Sequence, residues 1–295
     1  YHGFATAMFI PVANAFVAEL FPTKRGERIS LFSSATTVGR AMAPFLGGYI
    51  LFTTSYDFRE LYLVVGIAGI TAFIMALLLL KESTHTSNMD TESRSSVGSR
   101  AFQGWTIVAR NPSILVISLV EAAQYYTFGA VEFFLVGYLK EVARLDPVSF
   151  GTILGAQLAM IPLIKPFMGR LSDKIGRRIP IVVGSITSAL SIAAISLTTQ
   201  FPLLLLISIT YGVGFSLVTS STPALVSELL QESLVGTGMG FLSTIMDVGQ
   251  TLGLIMTGFI LTTSLGYLGS FSILSVILLF ACAIFAMVIA KTGKE

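Results

Sequence analysis

Apolar residues run through this chain in nine long blocks, near residues 1–20, 29–52, 60–80, 113–139, 148–168, 181–198, 203–226, 236–262 and 268–290. A helix needs about 20 apolar residues to cross a bilayer core, and each block is close to that length. Lipid leaves backbone groups no water to bond, so blocks this long predict membrane-spanning helices rather than barrel strands. No basic n-region or small-residue cleavage pattern of a signal peptide heads the first block. The longest polar break, 81–112, is rich in Ser and Thr and reads as a flexible linker. Its end, Ala101 to Arg110, carries Phe102, Trp105, Ile107 and Val108. That stretch fits either a segment lying along the membrane interface or an extension of the following span.

Orientation follows from Lys and Arg in the short breaks. With residue 1 outside and the spans alternating, fourteen of these residues fall inside and three, Arg59, Lys140 and Arg144, fall outside. Arg40 lies within a span. The bias predicts a cytoplasmic C-terminus in a protein integral to the cell membrane.

Composition narrows the classes further. Hydrophobic residues make up 54% and charged residues 12%, and mean hydropathy is +0.82. Soluble domains carry about 25% charged residues, so a soluble enzyme and a disordered chain are both excluded. A net charge of +2 gives no basis for nucleic-acid binding. Cys282 is the single cysteine and His2 and His85 are far apart, so neither a disulfide nor a metal site is expected.

The chain also repeats itself. A shift of 210 positions brings Gly26 onto Gly236, Ser33 onto Ser243, Val38-Gly39 onto Val248-Gly249, and Gly48-Tyr49-Ile50-Leu51 onto Gly258-Phe259-Ile260-Leu261. Glu19 and Glu228 both close the preceding span, with a one-residue slip. Spans one to three thus match spans seven to nine, and a six-helix unit would require three further helices before residue 1. Parallel repeats of this kind are a transporter plan with the cargo site between the halves.

Two motifs carry a resemblance. Gly169-Arg170-Leu171-Ser172-Asp173-Lys174-Ile175-Gly176-Arg177-Arg178 lies in the break between the fifth and sixth spans. It resembles the G-x-L-[AS]-D-[KR]-x-G-R-[RK] loop of the major facilitator superfamily, in its second-half copy. Gly39-Arg40-Ala41-Met42-Ala43-Pro44-Phe45-Leu46-Gly47-Gly48 resembles the G-x-x-x-G-P-x-x-G-G signature in the fifth helix of that family's antiporters, with Ala43 in place of one Gly. Small residues let helices approach closely, and Pro44 frees a carbonyl and permits a kink. The resemblance implies an all-α polytopic fold and assigns the nine spans to helices 4 to 12 of twelve. Residues 1–80 are then part of an N-terminal bundle, 81–112 the cytoplasmic linker and 113–295 a C-terminal six-helix bundle.

Ionisable groups inside spans cost about 2.5–3.5 kcal/mol each at mid-helix, which marks them as functional candidates. Glu121, Gln124, Tyr125, Phe128 and Glu132 fall on one face of the fourth span at 100° per residue. They are expected to line a path for proton and substrate, with Gln124 orienting Glu121 and Tyr125 stacking on cargo. Glu121 and Glu132 are eleven residues apart, about 16 Å along a helix, so they are sequential stations rather than a dyad. Ser243, Asp247, Gln250 and Thr257 share a face of the eighth span, and Asn14 and Thr219-Ser220-Ser221-Thr222 are further path candidates. Arg40 needs a carboxylate or carbonyl partner, whereas Lys165 is placed to snorkel to the cytoplasmic surface. At the cytoplasmic end, Glu228 ends its span on the same side as the Arg170, Arg177 and Arg178 loop, and Asp173 is expected to face the start of the helix at Gly26–Ser30, forming a gate.

The combined reading is a proton-coupled exporter of small organic molecules or drugs, working by alternating access. The alternatives are an uptake symporter or uniporter of the same fold, or a non-transporting membrane sensor. No phosphate-cradling loop supports ATP drive, and no nucleophile–base or metal constellation supports an enzyme. No cofactor is called for, and the expected partners are substrate, protons and the lipid bilayer, with the protein a monomer.

Overall fold

The computed structural model describes residue 13 and residues 25–79 and 104–292, the side chains of 25–34, 232–233 and 289–292 excepted. The first predicted span, Asn14 and most of the linker lie outside the described residues. Eight long helices follow: α1 (Arg25–Thr53), α2 (Phe58–Leu79), α3 (Pro112–Glu141), α4 (Pro147–Ile175), α5 (Arg178–Ile195), α6 (Phe201–Leu229), α7 (Glu232–Leu261) and α8 (Gly266–Thr292). Among the described residues there is no strand. The helices α2 to α8 are long and apolar enough to cross a membrane. The helix α1, interrupted by Arg40 and by Ser33, Ser34, Thr36 and Thr37, is not among them.

Local chemistry starts the helices where the polar breaks end. Asn111 accepts from the N–H groups of Ser113 and Ile114, and Pro112 takes the first helical position of α3. Asp146 does the same for α4, accepting from Val148 and Ser149 ahead of Pro147. The Ser149 hydroxyl also donates to Asp146 and holds its carboxyl below the ordinary range.

Helix ends differ from the apolar blocks where polar residues continue the helix. The block at 148–168 predicts a loop from Gly169, yet α4 runs on through Gly169 to Ile175. The correction has a physical cause: Arg170, Leu171, Ser172, Asp173 and Lys174 all tolerate a helix, and Asp173 pairs with Arg177 four positions on. Gly176, at φ +85, supplies the break.

The stretch 104–110 is helical and separate from α3. Extended backbone at the Asn111 cap interrupts it, so the simple-extension reading does not hold. Val108 is fully buried with Ile114 and Phe241, and Trp105 meets Phe241 edge-on at 5.3 Å. The segment therefore docks on α7.

The packing runs as a chain of neighbours: α3 against α7 and α8, α8 against α5, α5 against α6, α6 against α4, and α4 against α1. Tyr211, Phe271 and Phe285 are the largest side chains of the core. By contrast, α2 has no buried residue among those described, and apart from Leu61, which packs on the core, its Leu, Ile, Val and Phe side chains are exposed. That is an arrangement suited to lipid, which needs no polar cover.

The contact between α1 and α4 is backbone on backbone. A Cβ on Gly48 would lie 3.1 Å from the Gly151 Cα and 3.3 Å from the Pro147 carbonyl carbon, inside the contact distance of the Pro147 oxygen. A Cβ on Gly151 would meet the Gly48 Cα and the Pro44 carbonyl equally closely. One turn on, Gly155 receives the Phe45 ring. Backbone atoms cannot move aside as a side-chain tip can. Gly48→Leu or Gly151→Leu should therefore cost about 1–3 kcal/mol and lower the melting temperature in detergent by several degrees. Gly69→Ala, in open space on α2, should leave it unchanged or slightly raised; equal effects at the three sites would contradict the crossing.

Candidate functional site

Beside the crossing, residues of α1, α3, α4 and α6 enclose a cavity of ≈ 170 Å³. Its walls are Thr37 and Arg40 from α1, Tyr125 and Phe128 from α3, Leu158, Ile161 and Lys165 from α4, and Phe215 from α6. The wall residues of α1 precede Pro44 and those of α4 follow Gly155, so the cavity lies on the side of the crossing that leads to the α4–α5 turn. Phe128 and Phe215 stack with centroids 4.4 Å apart, and Tyr125 meets Phe215 edge-on at 5.3 Å. These contacts form a three-ring wall.

Arg40, whose partner the sequence does not name, finds Glu132 of α3. Its Nε donates to Oε1 at 3.1 Å and its Nη2 to Oε2 at 2.5 Å, a forked pair. Arg40 Cζ also lies 5.4 Å from the Phe128 ring centroid. This pair joins α1 directly to α3. The Glu132 carboxylate, expected along the path for proton and substrate, is thus held by a cation that lines the cavity.

The predicted stripe on α3 divides among three neighbours. Tyr125 and Phe128 line the cavity. Glu121, 1% exposed, turns to α6 and accepts from the Thr222 hydroxyl at 2.5 Å. Gln124 does not orient Glu121: it is fully buried and donates from Nε2 to Ser188 Oγ of α5 at 3.0 Å. A helix with neighbours on several sides sends one sequence face into different environments.

On α7, the shared face also divides. Asp247 and Ser243 are exposed, Thr257 is buried, and Gln250 packs onto α3 where a Cβ on Gly129 would lie 2.7 Å from its Cγ. Neither Asp247 nor Gln250 lines the cavity. Of the Thr219–Thr222 run, Thr222 alone reaches an ionisable group, Glu121.

At the far end of α4, Arg177 is the hub. It bonds Glu228 at the end of α6 through Nε at 2.9 Å, Ser172 through Nη1 at 2.6 Å, and the Asp173 carboxylate through Nη2. These bonds hold the guanidinium above its already high ordinary range. Asp173 thus faces its own half. Its expected partner at Gly26–Ser30 lies among side chains outside the described set. Arg170 makes no ion pair among the described residues, and Arg178 opens α5.

In the antiporter-like stretch, Gly48 makes the backbone crossing and Pro44 supplies a carbonyl to it. Among the described residues, a Cβ on Gly47 would make an ordinary contact with Leu61, and one on Gly39 would meet open space. Three features escape the sequence reading. Lys165 lines the cavity rather than only snorkelling; Phe215, an apolar residue in an apolar span, carries no signal; and Gly151 and Gly155 form a G-x-x-x-G step that does signal close packing.

Comparison with known proteins follows the same lines. The family model described as Major Facilitator Superfamily matches residues 1–163 and again 117–295. An uncharacterized MFS-type transporter of Methanocaldococcus jannaschii is 26% identical over 88% of this chain and 65% of its own length. A riboflavin transporter of Clostridioides difficile is 24% identical over 82% and 61%. A multi-drug resistance efflux pump of Streptococcus pneumoniae is 22% identical over 94% and 68%. The chain thus spans about two thirds or less of the length of these relatives.

The Arg40–Glu132 pair gives a direct test of the α1–α3 link. Arg40→Gln and Glu132→Gln should each destabilise the protein, and the double variant should cost less than the sum of the two. The coupling should be about 1 kcal/mol, because the side chains remain 52% and 28% exposed. Thermal denaturation in detergent measures the cycle, and strict additivity would contradict the pair.

Proposed function

Because the chain belongs to the Major Facilitator Superfamily, an integral membrane family, we propose that its cavity carries small organic molecules outward in exchange for protons. The reading rests on one observation. The cavity is walled by α1 on one side and by α3, α4 and α6 on the other, and a buried carboxylate, Glu121, stands behind its aromatic wall. Two walls drawn from two helix groups can part on either side in turn, which is what alternating access requires. The likeness to a multi-drug efflux pump supports export.

A carboxylate that a single hydroxyl bonds in a dry interior is costly while charged. Protonation removes that cost, and so does a cation nearby; Lys165 is close enough for its charge to act on Glu121. The proposed cycle uses this choice. In one state Glu121 holds a proton, and in the other it releases the proton as the walls rearrange and water or cargo reaches it. Arg177, tying Glu228 to the end of α4, keeps the second group of helices rigid at the gate. The Lys and Arg bias puts that gate and the C-terminus on the cytoplasmic side, with the Gly48–Gly151 crossing closing the outer side.

The test uses the whole protein in proteoliposomes, with substrates identified by counterflow. Glu121→Gln should retain counterflow while gradient-driven transport falls about tenfold or more. Undiminished gradient-driven transport in that variant would remove Glu121 from coupling. Accumulation only when the gradient is reversed would make the protein a symporter instead.

A further inference from the structure

Among the described residues the cavity wall contributes two cations and no carboxylate. One of them, Arg40, is paired with Glu132, and its Nη1 edge makes no hydrogen bond among the described residues. The other, Lys165, has no ion-pair partner within 4 Å among the described residues and is exposed to the cavity. Three acids stand near the lining without being part of it: Glu121 bonds Thr222 and lies within reach of the Lys165 charge, Glu132 is held by Arg40, and Asp247 sits exposed on α7. The remaining lining is Thr37 with the mostly apolar Tyr125, Phe128, Phe215, Leu158 and Ile161, and within it Phe128 and Phe215 are stacked while Tyr125 meets Phe215 edge-on.

From this arrangement we propose that the site takes an organic anion with a flat, apolar body. The inference rests on the reading of this cavity as the cargo site and names the class of cargo. The anionic group is received by the Lys165 ammonium, a strong donor to any oxyanion, with the free edge of Arg40 as its second donor. The ring system lies along the three-ring wall, where an offset or edge-on contact with each ring is favourable. A space of ≈ 170 Å³ holds on the order of ten water-sized atoms, which is the scale of a two-ring molecule. Lys165 is thereby a specificity-determining residue.

Three probes with one ring system and different permanent charge test this: naphthalene-1-sulfonate, naphthalene-1-methanol and 1-naphthyl-trimethylammonium. Binding to the purified chain in nanodiscs is measured by calorimetry, with empty nanodiscs subtracted. The sulfonate should bind at least about tenfold more tightly than either of the other two. Lys165→Gln should remove that preference while leaving naphthalene-1-methanol binding unchanged, and Lys165→Arg should restore it. Should Lys165→Gln fail to fold, the ranking of the three probes on the unaltered chain still decides. Equal binding, a preference for the cation, or no binding of any probe would overturn the proposal. Selective sulfonate binding without gradient-driven flux would uphold the site and overturn the transport reading instead.

Discussion

The geometry of the described residues depends on one close approach, the backbone crossing of α1 and α4 at Gly48 and Gly151. With no side chain between them, the two backbones touch there, and this contact lies at one end of the cavity. It also sets the reach of Arg40, one turn before Pro44, so that its guanidinium meets Glu132 on α3 rather than an unmatched apolar wall. A larger residue at either glycine would push the helices apart, lengthen the gap to Glu132 and change the shape of the site together.

Around this crossing, the membrane's intolerance of unmatched charge sorts the ionisable side chains into different roles. Arg40 and Glu132 satisfy one another across two helix groups. Glu121 is satisfied by one hydroxyl within its own group, which leaves it dependent on a proton or on a neighbouring cation. Lys165 is satisfied by neither and depends on the open cavity. The same residue types thus pair across helices, take a single hydroxyl, or face the open cavity, and what separates them is burial and the neighbouring helix rather than their chemistry.

The helices were legible because span length is fixed by bilayer thickness, and the apolar blocks match it. Their ends were less so, since hydropathy marks where the apolar core stops and not where the helix stops; α4 continues through seven residues of the charged motif to Ile175. The site was legible in its parts. Periodicity puts Glu121, Gln124, Tyr125, Phe128 and Glu132 on one face, but which neighbour each meets depends on packing between segments 60 to 100 residues apart, as in Gln124 with Ser188 or Glu121 with Thr222. Lys165 looked like a snorkelling residue because of its place near a helix end, a position that is equally the mouth of a cavity. The repeat carried a further signal. Gly249, the partner of Gly39, packs against the α3 backbone at Ala122, whereas Gly39 has no such neighbour among the described residues.

The central claim is that α1 and α4 close one side of the cavity in this structure and separate there when the other side closes. Spin labels at Phe52 and Val148, both exposed beside the crossing, report that separation by pulsed electron spin resonance of the whole protein in nanodiscs, with buried Cys282 replaced by Ser. Two distance populations are expected, the shorter one matching the crossing described above, with their ratio shifting between pH 5 and pH 8 and that shift lost in Glu121→Gln. A single distance, unchanged across that range, would contradict the account.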